Sequence, residues 1–163
     1  MNGIPIVLRA LHDGERELER QLLAAADRHS GEHEFHHVAK DIARWSREHA
    51  ERIAHAAEPQ DLHLPGLMDP PEPGPLATVR ETFGRTVGRQ SPPGLLLLRD
   101  LRDLHLAAAE NSLGWEMLAQ VAQAAGETDL LDLAATCHPQ TLRQLRWTNT
   151  MIKTLSPQLL TSL

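Results

Sequence analysis

The chain contains no tyrosine and only one cysteine, Cys137, and its aromatic residues amount to 3%. One thiol cannot close an internal disulfide, so packing alone must hold the fold, and a lone cysteine suits a reducing, cytoplasmic setting. A core short of aromatic and β-branched side chains but rich in Leu and Ala favours helix over sheet. Positive charge is also scarce, with 16 basic against 22 acidic residues and a net charge of −6. No basic run is long enough to build a phosphate-binding stripe, which argues against a nucleic-acid partner. Long apolar runs are missing too. The longest, Leu95 to Leu98, is far too short to span a bilayer. The first residues lack the basic segment and apolar core of a secretory signal. Without a glycine-rich phosphate loop or a Gly-x-Ser-x-Gly elbow, nucleotide binding and serine hydrolysis have no support.

What the chain does have is 163 residues, 41% of them hydrophobic, and ten histidines. That length suffices for one domain with a core, residues 1–163. The histidine count is the anomaly in the composition.

Apolar spacings of three and four residues predict four long helices. The first runs from Ile4 to Asp27, with Ile4, Leu8, Leu11, Leu18, Leu22 and Ala25 on one face. The second runs from Glu32 to Ala57, on Phe35, Val38, Ile42, Trp45 and Ile53, and Pro59 ends it. The third follows Gly94 and ends near Gly126, on Leu97, Leu101, Leu104, Ala108, Trp115, Leu118 and Ala122. The fourth starts at Thr128, a plausible N-cap, and runs to Ser156, on Leu131, Ala134, Thr141, Leu145, Ile152 and Leu155. Pro139 lies inside it and is expected to kink or split it, because its ring clashes with the carbonyl one turn back.

Residues 58–93 form a Pro- and Gly-rich connector in which "LATVRETFGRTV" could make one short helix. Short loops join helices one to two and three to four, so each pair should run antiparallel. The long connector can cross the height of a bundle and leave helices two and three parallel. The expected fold is therefore an all-α, antiparallel four-helix bundle with one long crossover between helices two and three. In this connectivity the chain resembles the ferritin-like family.

Each predicted stripe has a polar interruption. Glu15 stands where helix one calls for a leucine, and His49 continues helix two between Trp45 and Ile53. Asn111 falls between Ala108 and Trp115, and His138 between Ala134 and Thr141. At a rise of about 1.5 Å per residue, His49, Asn111 and His138 come out in one layer roughly 24–27 Å below the top, and Glu15 at about 18 Å. His12, one turn below Glu15, fits that layer better in height. A buried carboxylate is costly unless paired, protonated or metal-bound. Two imidazoles and a carboxylate would suit one divalent iron, manganese or zinc ion. Glu15, His49 and His138, with His12 and Asn111 close by, are the candidate metal-centre residues. The competing reading of the same residues is a metal-free hydrogen-bonded network that fixes register and packing.

The family resemblance implies a di-metal site with a Glu on two helices and Glu-x-x-His on the other two. Glu15 matches the first Glu, but Ser46 and Ala135 stand three positions before His49 and His138. Asn111 replaces the Glu of helix three, with Glu110 adjacent. What the resemblance implies is thus at most a mononuclear or degenerate site. The one true Glu-x-x-His, Glu34 and His37 beside His33 and His36, lies off the inward stripe and reads as a solvated face. Asp100 and Asp103 with Arg99 and Arg102 read as a solvated mixed-charge face, Cys137 as a small buried thiol, and Trp45 and Trp115 as core. Trp147, off the stripe, is expected under the crossover or at a subunit contact. Three functions stand open: a bundle binding one divalent metal, a metal-free structural or protein-interaction module, and a small-molecule pocket next to the polar layer, with a homodimer as the assembly to test.

Overall fold

The computed structural model describes residues 2–66 and 92–163, and among them every regular element is helical. The elements are α1 (Ile4–Arg28), α2 (His33–Ala57), a 3-10 turn (Glu58–Gln60), α3 (Pro93–Ala125) and α4 (Thr128–Leu160). They pack as a four-helix bundle in which α1 lies against α2 and α3, and α4 against α3 and α2. No helix among the described residues is long and apolar enough to cross a membrane. The short helix expected over 76–87 lies outside the described residues.

Two apolar clusters fill the bundle, one at each end. The first joins Ile4, Leu8 and Leu11 of α1, Ile53 and Ala57 of α2, Trp115, Leu118 and Ala122 of α3, and Leu130 and Ala134 of α4. The second joins Leu18, Leu22 and Ala25, then Phe35, Ala39 and Ile42, then Leu97, Leu101 and Leu104, with Leu145, Ile152 and Leu155 packed on it. The start of α1 thus meets the ends of α2 and α3 and the start of α4, and the chain direction reverses from α1 to α2 and from α3 to α4.

Local chemistry sets the ends of these helices. The Asn2 side chain accepts the Ile4 N–H at 3.2 Å, and Pro5 sits in the first turn of α1, where its missing donor is harmless. Gly126 closes α3 in the left-handed conformation at φ 73°, and the Glu127 N–H reaches back to Ala122 O at 2.9 Å. Thr128 is the first residue of α4 and not its cap; Glu127 holds the cap position without a side-chain hydrogen bond.

Pro139 does not split α4, which is one helix through both Pro139 and Pro157. The carbonyl one turn before Pro139 belongs to Ala135. Both residues are exposed, so water can take the acceptor that the missing N–H leaves. The inward row of α4 also differs from the predicted stripe. It is Leu130, Ala134, Cys137, Thr141, Gln144 and Thr148, while Leu131 and Leu145 are only half-buried. Half of that row is polar, so a search for apolar spacing selects the neighbouring row.

Candidate functional site

Between the two apolar clusters lies a buried polar waist. The side chains reaching it include Glu15, Ser46, His49, Asn111, Ser112, Thr141 and Gln144, all buried. Its centre is Glu15, with no solvent exposure. The Glu15 Oε1 accepts from Trp115 Nε1 at 2.9 Å and from His49 Nδ1 at 3.1 Å. The other nitrogen of His49, Nε2, lies 2.8 Å from Gln140 Oε1. With that carbonyl oxygen facing it, His49 donates from both nitrogens and forms an ion pair with Glu15; with the Gln140 amide turned over, its NH₂ donates to a neutral imidazole. The rings of His49 and Trp115 meet edge to face at 5.7 Å.

The height reckoning placed Glu15 well above His49, and the two are in fact bonded. Ala26 O lies 2.7 Å from His36 Nδ1, and Glu19 pairs with Arg47 at 3.3 Å. The first turn of α2 therefore overhangs the end of α1, and counting both helices from a common top misjudges the register by that overhang.

The remaining candidates take separate places. His138 is half-buried on the flank of α4, where Cys137 holds the inward position, and its Nε2 shares a hydrogen bond with Ser112 Oγ at 2.8 Å. Asn111 is buried over α1: its Oδ1 fills the space a side chain at Gly14 would need, and its Nδ2 has no partner among the described residues. His12 is buried on the other side of α1, neither ring nitrogen has a hydrogen-bond partner among the described residues, Nδ1 lies 3.8 Å from Asp13 Oδ1, and the ring faces a separate cavity. Burial, aided by the Arg16 charge, holds its pKa below the ordinary imidazole value. Glu110 is exposed.

A divalent metal needs several free donor atoms at one point. In this arrangement both nitrogens of His49 are engaged, and among the described residues no three His, Cys, Asp or Glu side chains converge as metal ligands. One donor stays open, the Glu15 Oε2, which is buried without a hydrogen-bond partner among the described residues.

Next to this centre, Gln144 Nε2 donates to Ile42 O at 3.0 Å and to Ser46 Oγ at 2.9 Å. The waist thus ties α2 to α4 as well as α1 to α2 and α3. Residue spacing did not single out Trp115 or Gln140 as part of the centre. A signal was available for Trp115: a fully buried indole N–H needs an acceptor, and Glu15 is the unexplained acceptor on the facing helix.

A second buried carboxylate corrects the reading of Asp100 as solvated. Asp100 is 4% exposed, and its Oδ2 lies 2.7 Å from His29 Nε2 and 3.0 Å from Arg28 Nε. Burial pushes its pKa up, but the hydrogen bonds from His29 and Arg28 outweigh it, and the net shift is downward. Three residues after Leu97 and four before Leu104, Asp100 lies on the inward row against the end of α1.

Three other expectations are met. Cys137 is a free, buried thiol, with burial raising its pKa to about 11. His33, Glu34 and His37 are exposed, and the His33 and His37 rings stack at 6.4 Å on the surface. Trp115 is fully buried. Trp147 packs on Phe35 with ring centroids 5.5 Å apart, half-buried at the edge of the second apolar cluster.

Compared with models of known protein families, with curated proteins and with solved structures, the chain matches none.

Proposed function

We propose that this chain is a ferritin-like bundle that works by association and not by catalysis, its waist held by hydrogen bonds and its outer face paired with a second copy of itself. The observation that carries the reading is an apolar row left in water along the seam of α1 and α3. Leu113 and Met117 are 59% and 56% exposed, and with Val7 and Val121 they border a shallow groove. Soluble chains rarely leave such a row uncovered, and a two-fold dimer lets one face cover itself. The ferritin-like assignment is supported by which helix ends share each apolar cluster. A cytoplasmic setting is supported by the single free thiol of Cys137. Sedimentation velocity on the wild-type chain and on Leu113→Glu tests the reading. A dimer that Leu113→Glu converts to a folded monomer supports it, and a wild-type monomer overturns it.

A second reading has an observation of its own. The unpartnered Oε2 of Glu15, buried at the waist, is the kind of oxygen that one divalent iron, manganese or zinc ion would satisfy. It requires Gln140 to release His49. Elemental analysis of protein purified without a histidine tag tests it: stoichiometric metal that disappears in Glu15→Ala supports a metal-binding bundle, and metal-free wild-type protein removes it.

A further inference from the structure

Beyond the waist and the α3 face, a cavity of about 360 Å³ opens over His12, within the range of small-molecule sites. Its shape follows from the chain path after α2. Asp61 takes a left-handed turn at φ 54°, and the Leu62 N–H bonds to Ala57 O at 3.2 Å. Residues 62–66 then run along the cavity, with Leu62 anchored in the first apolar cluster.

The lining divides by chemistry. His12 is 1% exposed; neither ring nitrogen has a hydrogen-bond partner among the described residues, and Nδ1 lies 3.8 Å from Asp13 Oδ1. Ala50, Ala54, Leu62 and Leu64 supply apolar wall, and the carboxylates of Glu51 and Glu58 stand nearby. His55 and His63 complete the polar part, with His55 Nδ1 3.8 Å from Glu58 Oε2. Among the described residues, no lysine or arginine lines the cavity. Arg16, Arg9 and Asp13 act on His12 from outside this lining.

We infer that this cavity binds a small organic amine, an ammonium group on an apolar body. Uncharged, the buried imidazole of His12 offers one acceptor nitrogen, which an ammonium N–H can satisfy. Burial lowers the pKa of His12 and keeps that acceptor available near neutral pH. The two carboxylates favour a cation over an anion, and the Ala and Leu walls take the apolar part. An unpaired buried polar group is costly, so a ligand that pairs His12 recovers free energy that an apolar molecule of equal size does not.

Benzylamine is the probe, with benzoate as the same ring bearing the opposite charge. Histidine side-chain nitrogen NMR of the full chain follows the His12 ring during each titration. The expected result is a saturable shift of the His12 nitrogens with benzylamine and none with benzoate. Ala54→Trp, which fills the cavity, should weaken benzylamine binding at least about tenfold, and the exposed Glu51→Gln should weaken it severalfold in a chain of unchanged fold. The inference is overturned if benzylamine leaves the His12 signals unchanged, if benzoate binds as tightly, or if Glu51→Gln and Ala54→Trp, both folded, bind benzylamine like the wild type.

Discussion

Among the described residues two carboxylates are buried, and they are held in different ways. Asp100, near the start of α3, faces side chains that arrive from solvent. Arg28 is half-exposed, and with His29 it surrounds Oδ2, while Arg99 reaches Oδ1 at 3.3 Å. Glu15, at mid-height, is held by an imidazole and an indole on Oε1 alone, and Oε2 has no hydrogen-bond partner among the described residues. Near an end of a bundle, a long cationic side chain can keep its stem at the surface and still reach an inward acid. At the waist no such route exists, and partners must come from the facing helices. Asp100 is thus a closed contact between α1 and α3, whereas Glu15 leaves bonding capacity unused.

Removing Glu15 should break this symmetry most. Glu15→Ala leaves the His49 and Trp115 donors buried without their acceptor and should cost about 3–5 kcal/mol in urea unfolding. Asp100→Asn keeps the shape and lets Arg28 turn back to water, so about 1.5–3 kcal/mol is expected. If Asp100→Asn proves the costlier change, the contrast drawn between the two acids is wrong.

Acid should separate two regions in sequence. His12 has its folded pKa below the ordinary 6.5, so the unfolded chain takes up a proton first, and stability falls as pH drops through 6.5 until the folded pKa is reached. Asp100 also has a depressed pKa, so its contribution is intact above the ordinary 3.8 and is lost below it as the folded carboxylate is finally protonated. Urea unfolding at a series of pH values should therefore lose its upper step in His12→Gln and its lower step in Asp100→Asn. The smallest effect concerns Cys137. With its pKa at about 11 and its sulfur buried, it should react with a thiol reagent at pH 8 only as fast as the chain opens, and urea should accelerate the reaction.

Much of the fold could be read from residue spacing. The apolar series of α1 and α3 are strong, and every residue of both predicted stripes is buried. The spacing is weaker in α2, where Ala39 and Ser46 are buried while Val38 and Trp45 are half-buried. It misleads in α4, where Gln144 and Thr148 hold inward positions, Gln144 Nε2 donating to Ser46 Oγ and Thr148 Oγ1 bonded to His105 Nδ1 on other helices. The same physics divides the candidate site. Glu15, His49 and Asn111 were legible as polar residues on inward rows. His138 was not, because one residue of rotation turns a side chain by about 100° and Cys137 takes the inward place. Asp100 reads as solvated because its neighbours Arg99, Arg102 and Asp103 form a charged run that conceals one inward member.

The glycines on the seam of α1 and α3 carry a consequence for variation. A methyl group at Gly114 would lie 2.7 Å from Leu11 Cδ2, and one at Gly14 would run into Asn111 Oδ1. The two helices therefore interlock in both directions, each supplying the gap that the other's side chain fills. A naturally diverged version of this chain can enlarge position 14 by trimming or turning aside the side chain at 111, and position 114 by doing the same at 11. Such paired exchanges would mark chains that keep this helix pairing even after the polar residues between them have changed.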